Sequence, residues 1–219
     1  MTHHRALIFA NGRIHDGPMP RRALEQAPDA LMIGADGGVR VAQAYGVKLD
    51  AVIGDMDSLT EDELEVQQAQ GAKILRYPPE KNETDLELAL LWAAEQGADW
   101  MRVFGAMGGR LDQTLANIYL LALPPLRQRD VRLVSRAQQA WLLYPGEHRI
   151  EGAEGDTISL IPMNGDAQGV ETENLYYPLR NEALTFGPAR GVSNVMSGAQ
   201  ASVRFRAGLL LVVHTIGRA

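Results

Sequence analysis

Ala30-Leu31-Met32-Ile33-Gly34-Ala35-Asp36-Gly37-Gly38 and Ala51-Val52-Ile53-Gly54-Asp55-Met56-Asp57-Ser58 are built alike, each a short apolar run that ends on carboxylates and glycine. Neither run alternates with polar residues, which is the pattern of a strand covered on both faces in a parallel sheet. The same pattern recurs outward, at residues 6–10, 73–75, 101–104 and 131–134. Helical signals lie between these runs. Thr60 and Glu63 have capping-box spacing, Thr84 and Glu87 repeat it, and residues 110–123 form a third segment stopped by Pro124-Pro125. The alternation predicts an α/β N-terminal domain with a mostly parallel sheet, flanking helices and right-handed crossovers.

From about residue 138 helical periodicity disappears. Residues 156–161, 201–206 and 209–214 read as strands, and Val203 and Phe205 alternate with Ser202, Arg204 and Arg206, so that one face is buried and one is wet. Ala207-Gly208 fits a tight turn joining the last two strands, and Pro145-Gly146, Asn164-Gly165 and Gly187-Pro188 punctuate the rest. The expectation is an all-β C-terminal domain, an antiparallel sheet or sandwich, with the division at 1–135 and 136–219.

The 219 residues carry a formal charge of −6 and no cysteine. Disulfides, Cys-ligated metals and Cys nucleophiles are excluded. The acidic balance gives no footprint for a phosphate backbone, so no nucleic-acid partner is expected. No export signal and no apolar stretch of about 20 residues is present, so the expectation is a cytoplasmic protein with no membrane contact. The five histidines show no metal-ligand spacing, and Trp92, Trp100 and Trp141 read as core residues.

Five short motifs carry chemistry. Asp36, followed by Gly37 and Gly38, sits at a strand end, where a plain turn and a ligand approach are equally good readings. Asp55 and Asp57 aim two carboxylates one way, and such a pair calls for a cation; hard oxygen ligands on a loop suit Mg²⁺. Helix capping by Asp57 or Ser58 is the competing reading. Lys81 and Asn82 are polar donors ahead of a helix N-terminus, with Thr84 as cap and Asp85 in the first turn, where the helix dipole alone favours an acid. Gly105, Gly108 and Gly109 let backbone N–H groups face a phosphate, and Arg110 adds a planar fork of donors. The spacing is neither that of a Walker A loop nor that of a dinucleotide fingerprint. Gly191-Val192-Ser193-Asn194 reads on its own as a turn.

Taken in order, Ala-Asp-Gly-Gly, Gly-Asp-x-Asp-Ser, Lys-x-x-Thr-Asp, Gly-x-x-Gly-Gly-Arg-x-Asp and Gly-x-Ser-Asn resemble the thiamine pyrophosphokinase family over nearly the whole chain. The resemblance implies a homodimer that moves a pyrophosphoryl group from ATP to thiamine, with an ATP-binding α/β domain and a thiamine-binding, dimer-forming β domain. It implies Asp55, Asp57 and Asp85 as Mg²⁺ carboxylates. It implies Asp36, Gly37, Ser58, Lys81, Asn82, Thr84, Gly105, Gly108 and Gly109 as the nucleotide-phosphate shell. Arg110 and Asp112 are implied where phosphate meets thiamine, and Ser193 and Asn194 at the thiamine pyrimidine. Asn82 and Gln113 stand where the family pattern has Asp and His, which keeps two rivals in view: a related Mg²⁺-dependent transferase with another alcohol acceptor, and a binding protein without turnover.

Overall fold

A computed structural model describes residues 4–218 of the chain. The chain separates into two compact units, Met1–Arg136 and Ala137–Ala219.

The first unit holds strands β1 (Arg5–Phe9), β2 (Leu31–Ala35), β3 (Ala51–Gly54), β4 (Lys73–Arg76), β5 (Trp100–Phe104) and β6 (Asp130–Ser135). Helices α1 (Pro18–Gln26), α2 (Gly38–Ala44), α3 (Glu61–Ala69), α4 (Asp85–Glu95) and α5 (Leu111–Leu120) alternate with them. The strands run parallel in the order β4-β3-β2-β1-β5-β6. Ile8 is level with Ile33 on one side and Val103 on the other, and all three are fully buried. The chain steps from β1 out to β4 and then returns to the far side of β1 with β5. This reversal of strand order makes the carboxyl ends of β1 and β5 the place where an open α/β sheet forms a ligand crevice.

Local chemistry sets the helix starts. At α3 the Thr60 side chain accepts from Glu63 N while the Glu63 carboxylate accepts from Thr60 N, a complete capping box. At α4 the structure corrects the expectation: Thr84 Oγ1 accepts from Glu87 N at 3.2 Å, and only this half of the box forms. Leu86, Ala89, Leu90 and Ala93 make the buried stripe of α4 against the sheet. In contrast, α5 has no fully buried residue, and its ridge of Leu111, Leu115 and Tyr119 is exposed. The tryptophan reading needs correction too. Trp141 is buried, whereas Trp100 is only half-buried, with the Arg102 guanidinium over its ring at 3.9 Å, and Trp92 is half-buried.

The second unit contains β7 (Gln138–Leu143), β8 (Gly146–Glu151), β9 (Thr157–Pro162), β10 (Ala167–Glu173), β11 (Glu182–Leu184), β12 (Asn194–Val195), β13 (Gln200–Phe205) and β14 (Leu210–Thr215). They pair antiparallel as β12-β9-β14-β7 and as β11-β10-β13-β8. Trp141, Ile158, Leu160, Val170, Val203, Phe205 and Val212 belong to one buried apolar cluster of this unit. The consecutive apolar residues of β14 are explained by its place between β7 and β9, with Val212 level with Trp141 and Leu160. Ala207-Gly208 does not close a hairpin. β13 and β14 belong to different sheets, and this segment carries the chain from one to the other.

Candidate active site

The carboxyl ends of β1, β2, β3 and β5 and the N-termini of α4 and α5 surround a cavity of about 500 Å³. Its lining includes Asp36, Asp57, Ser58, Thr84, Asp85, Gly105, Gly108, Gly109, Arg110 and Gln113. Asp55 lies beneath it, nearly buried, and Lys81 is equally covered. Asp112 and Asn82 are exposed and outside the lining, as is the buried Gly37.

Carboxylate oxygens of Asp36, Asp55 and Asp57 can all come within 4.8 Å of one another. The sequence reading set Asp36 among the phosphate contacts; in space it adjoins Asp55 and Asp57. Asp36 Oδ1 is buried with no hydrogen-bond partner among the described residues. Asp85 Oδ1 lies 3.0 Å from Lys81 Nζ, an ion-pair distance without hydrogen-bond alignment. Gly54 clears the space between Asp85 and Asp36: with φ at +152°, a Cβ there would stand 3.0 Å from the Asp85 carboxyl and 3.1 Å from Asp36 Cβ. Asp36 and Met56 adopt positive φ, 44° and 68°, local strain of the kind that clusters at functional sites.

The charges are strongly coupled. Lys81 Nζ donates to Asp55 Oδ2 at 2.7 Å, and this bond, with the Asp57 N–H donating to Asp55 Oδ1 at 3.1 Å, holds the Asp55 carboxyl below its usual range. Burial pushes Asp85 up, assisted by the charges of Asp55 and Asp36 and opposed by Lys81. Burial alone would lower Lys81, but its hydrogen bond to Asp55 and its ion pair with Asp85 outweigh that and raise it. At the cavity rim Arg110 pairs with Asp112, which lies outside the lining, and holds the Asp112 carboxyl low.

The glycine loop after β5 is held by α5 itself. Gly108 N donates to Thr114 Oγ1 at 3.1 Å, and Asn117 Nδ2 donates to the Ala106 carbonyl at 2.8 Å. The residues after β1, Asn11, Gly12 and Arg13, also line the cavity, and the sequence reading passed over them. Asn11 Nδ2 donates to Ser58 Oγ at 3.2 Å. The available signal was the Asn-Gly pair at the end of an apolar run, the same grammar as Asp36-Gly37.

Three hard carboxylates around one point, one with an orphaned buried oxygen, fit a small divalent cation such as Mg²⁺. The glycine loop at the N-terminus of α5 offers an anion site beside it. A cation site next to an anion site, at the reversal point of a parallel sheet, is suited to holding a polyphosphate for group transfer.

Ser193 and Asn194 lie in the second unit. Ser193 has φ of 60°, and its N–H donates to Ser159 Oγ at 3.0 Å. Asn194 Oδ1 accepts from Tyr177 N and Val195 N, both at 2.9 Å, while its Nδ2 donates to the Tyr177 carbonyl at 2.7 Å. The Asn194 amide thus locks the Tyr176-Tyr177 segment, whose exposed rings meet edge to face at a centroid distance of 4.8 Å. With Leu160, Arg190 and Gly191 they border an open concavity of about 390 Å³.

Comparison with known proteins gives a consistent pattern. Residues 23–134 match the family profile described as thiamin pyrophosphokinase, catalytic domain, and residues 147–210 match thiamin pyrophosphokinase, vitamin B1 binding domain. The chain is 33% identical over 186 residues to a thiamine pyrophosphokinase of Bacillus subtilis (strain 168), covering 84% of this chain and 87% of that one. A crystal structure of thiamine pyrophosphokinase from Bacillus subtilis superposes with a TM-score of 0.84 at 29% identity, covering 97% and 99% of the two chains. One from Geobacillus thermodenitrificans gives 0.81 at 27%, covering 96% and 97%.

Proposed function

The chain belongs to the thiamin pyrophosphokinase family, and from that premise we propose how its own residues move a pyrophosphoryl group from ATP to the hydroxyethyl oxygen of thiamine, giving thiamine diphosphate and AMP. The observation that carries the reading is the placement of Asp36, Asp55 and Asp57 beside the glycine loop at one sheet edge.

Asp36, Asp55 and Asp57 would hold Mg²⁺, with Asp85 adjoining. Bound there, the ion would neutralise phosphate charge and orient the polyphosphate. The loop over residues 105–110 and the N-terminus of α5 receive phosphate oxygens through backbone N–H groups, and Arg110 adds its fork of donors. Positioning and charge balance carry most of such a transfer. The thiamine hydroxyl must lose a proton as its oxygen attacks the β-phosphorus. Asp85 is the better acceptor: burial raises its proton affinity, whereas Arg110 lowers that of Asp112. Gln113 at the cavity wall hydrogen-bonds but cannot relay a proton at neutral pH.

The second unit supplies the thiamine surface. The Asn194 carbonyl already accepts two backbone bonds, so its offer to the aminopyrimidine is its remaining N–H, next to the Ser193 hydroxyl. Its larger service is to fix Tyr176 and Tyr177. The exposed apolar residues Leu111, Leu115 and Tyr119 of one unit and Tyr176, Tyr177 and Phe186 of the other support a homodimer. Among the described residues no helix is long and apolar enough to cross a membrane, and we place the enzyme in the cytoplasm.

Phosphorus NMR of the protein with ATP and thiamine, with and without Mg²⁺, tests the reading. Thiamine diphosphate and AMP should appear in equal amounts, and only with Mg²⁺. AMP formed only with another alcohol would replace the acceptor, and ATP bound without AMP would make the chain a binding protein.

A further inference from the structure

A polyphosphate entering the cavity meets Asp36, Asp57 and Asp85 in its lining. Of the cations already described, Lys81 is held by Asp55 and Asp85, and Arg110 shares its guanidinium with Asp112. Arg13 also lines the cavity, is exposed, and makes no ion pair or hydrogen bond among the described residues.

Its position follows from the topology. Arg13 stands four residues beyond the end of β1, the strand between β2 and β5 at which strand order reverses. Its side chain runs along the glycine loop: a Cβ on Gly109 would lie 3.7 Å from Arg13 Nε and 3.8 Å from its Cδ. The two loops are pressed together, since a Cβ on Gly12 would fall 1.9 Å from the Gly105 carbonyl oxygen. Arg13 is thereby held beside the glycine loop that opens α5, with its five donors unspent.

We propose that Arg13 is a polyphosphate-binding residue whose guanidinium contacts the nucleotide's phosphates beyond the first. The assignment rests on the pyrophosphokinase reading and adds a substrate contact from β1. An arginine fork matches two phosphate oxygens at once, so its loss should scale with the number of phosphates present.

Calorimetric titration of the parent, Arg13→Ala and Arg13→Lys with ATP and with AMP, in Mg²⁺, tests it. Arg13→Ala should weaken ATP by about tenfold or more, as expected for a lost charge-assisted bond. AMP should change by no more than about twofold, and Arg13→Lys should recover part of the ATP affinity by restoring charge without the fork. Thermal unfolding of Arg13→Ala should match the parent, because the side chain is exposed. A parent that binds ATP and makes thiamine diphosphate, beside an Arg13→Ala variant that binds ATP equally well, overturns the assignment alone. Equal weakening of ATP and AMP also overturns it, since the effect would then not follow the outer phosphates. A parent that binds no ATP overturns the functional reading and this assignment together.

Discussion

Asp36 and Asp156 are almost equally hidden, at 3% and 4% exposure, yet their settings are opposite. Asp156, in the second unit, accepts from Ala153 N at 3.0 Å, Gly217 N at 2.8 Å and His214 Nε2 at 2.7 Å. His214 is fully buried, and its Nδ1 faces the Gln139 amide nitrogen at 3.0 Å. That amide nitrogen only donates, so Nδ1 accepts and Nε2 carries the proton that Asp156 receives. Burial would raise the Asp156 pKa, but the Gly217, His214 and Ala153 bonds outweigh it and hold the carboxyl low. Asp36 has a bare buried oxygen and faces Asp55 and Asp57. A buried carboxylate surrounded by its own donors serves the fold. One left without donors and set against like charges is destabilising until a cation or ligand arrives.

The comparison breaks most visibly at Asp57. Asp57→Ala should lower the rate of AMP formation by roughly a thousandfold, the upper range for losing a preorganised charge contact. Its unfolding midpoint should stay near the parent's, because Asp57 is exposed on a loop. A parent-like rate at saturating Mg²⁺ would remove Asp57 from the site.

Asp156→Ala should do the reverse. Three donors lose their acceptor, the fully buried His214 among them, which costs about 3 kcal/mol of stability, readable by urea unfolding through the buried Trp141. Because the folded-state pKa of Asp156 is depressed, its contribution is present above the ordinary carboxylate pKa of about 3.9 and is lost as pH falls through the lower folded value. The parent should therefore lose stability below about pH 4, and Asp156→Asn should flatten that acid limb. An unchanged limb would show that Asp156 does not set it.

A smaller effect is expected at Asn194. Asn194→Ala releases the Tyr176-Tyr177 segment, and the thiamine KM should rise by about tenfold, the equivalent of roughly 1.4 kcal/mol. The ATP KM should move much less. Equal changes in both constants would make Asn194 a general support of the fold. The smallest effect is expected at Asp36. Asp36→Asn removes a charge from the crowded edge and should stabilise the ligand-free protein by about 1 kcal/mol while lowering activity. A loss of stability in chemical denaturation would contradict the contrast with Asp156.

The parallel sheet was legible because strands buried on both faces must be continuously apolar, and the runs of β2, β3 and β5 end on glycine or a carboxylate. The short helices α1 and α2 were not read, since Pro18 and Gly38 at their starts look like turn residues. Much of the second unit was hidden for a related reason: β10 interleaves Gln168, Glu171 and Glu173 with Gly169 and Val170, and its partner β11 is three residues long. The hairpin expected at Ala207-Gly208 failed because turn chemistry does not say whether the chain pairs back or changes sheet. At the candidate site, carboxylates announced themselves through their glycines. Arg13 needed the topology, because only the strand order puts β1 beside β5. Asn194 needed the fold as well, since its amide closes on Tyr177, 17 residues away.

The account stands on the claim that Asp36 and Asp57, which make no ion pair among the described residues, stand beside Asp55 at this sheet edge in order to hold a cation for ATP. Calorimetric titration of ATP into the parent and into Asp57→Ala, each in Mg²⁺ and in EDTA, tests that claim most directly. The parent should bind ATP about a hundredfold more weakly in EDTA, roughly 2.7 kcal/mol, and Asp57→Ala in Mg²⁺ should be as weak as the parent in EDTA. Equal ATP affinity for the parent with and without Mg²⁺, or full Mg²⁺-dependent affinity in Asp57→Ala, would contradict it.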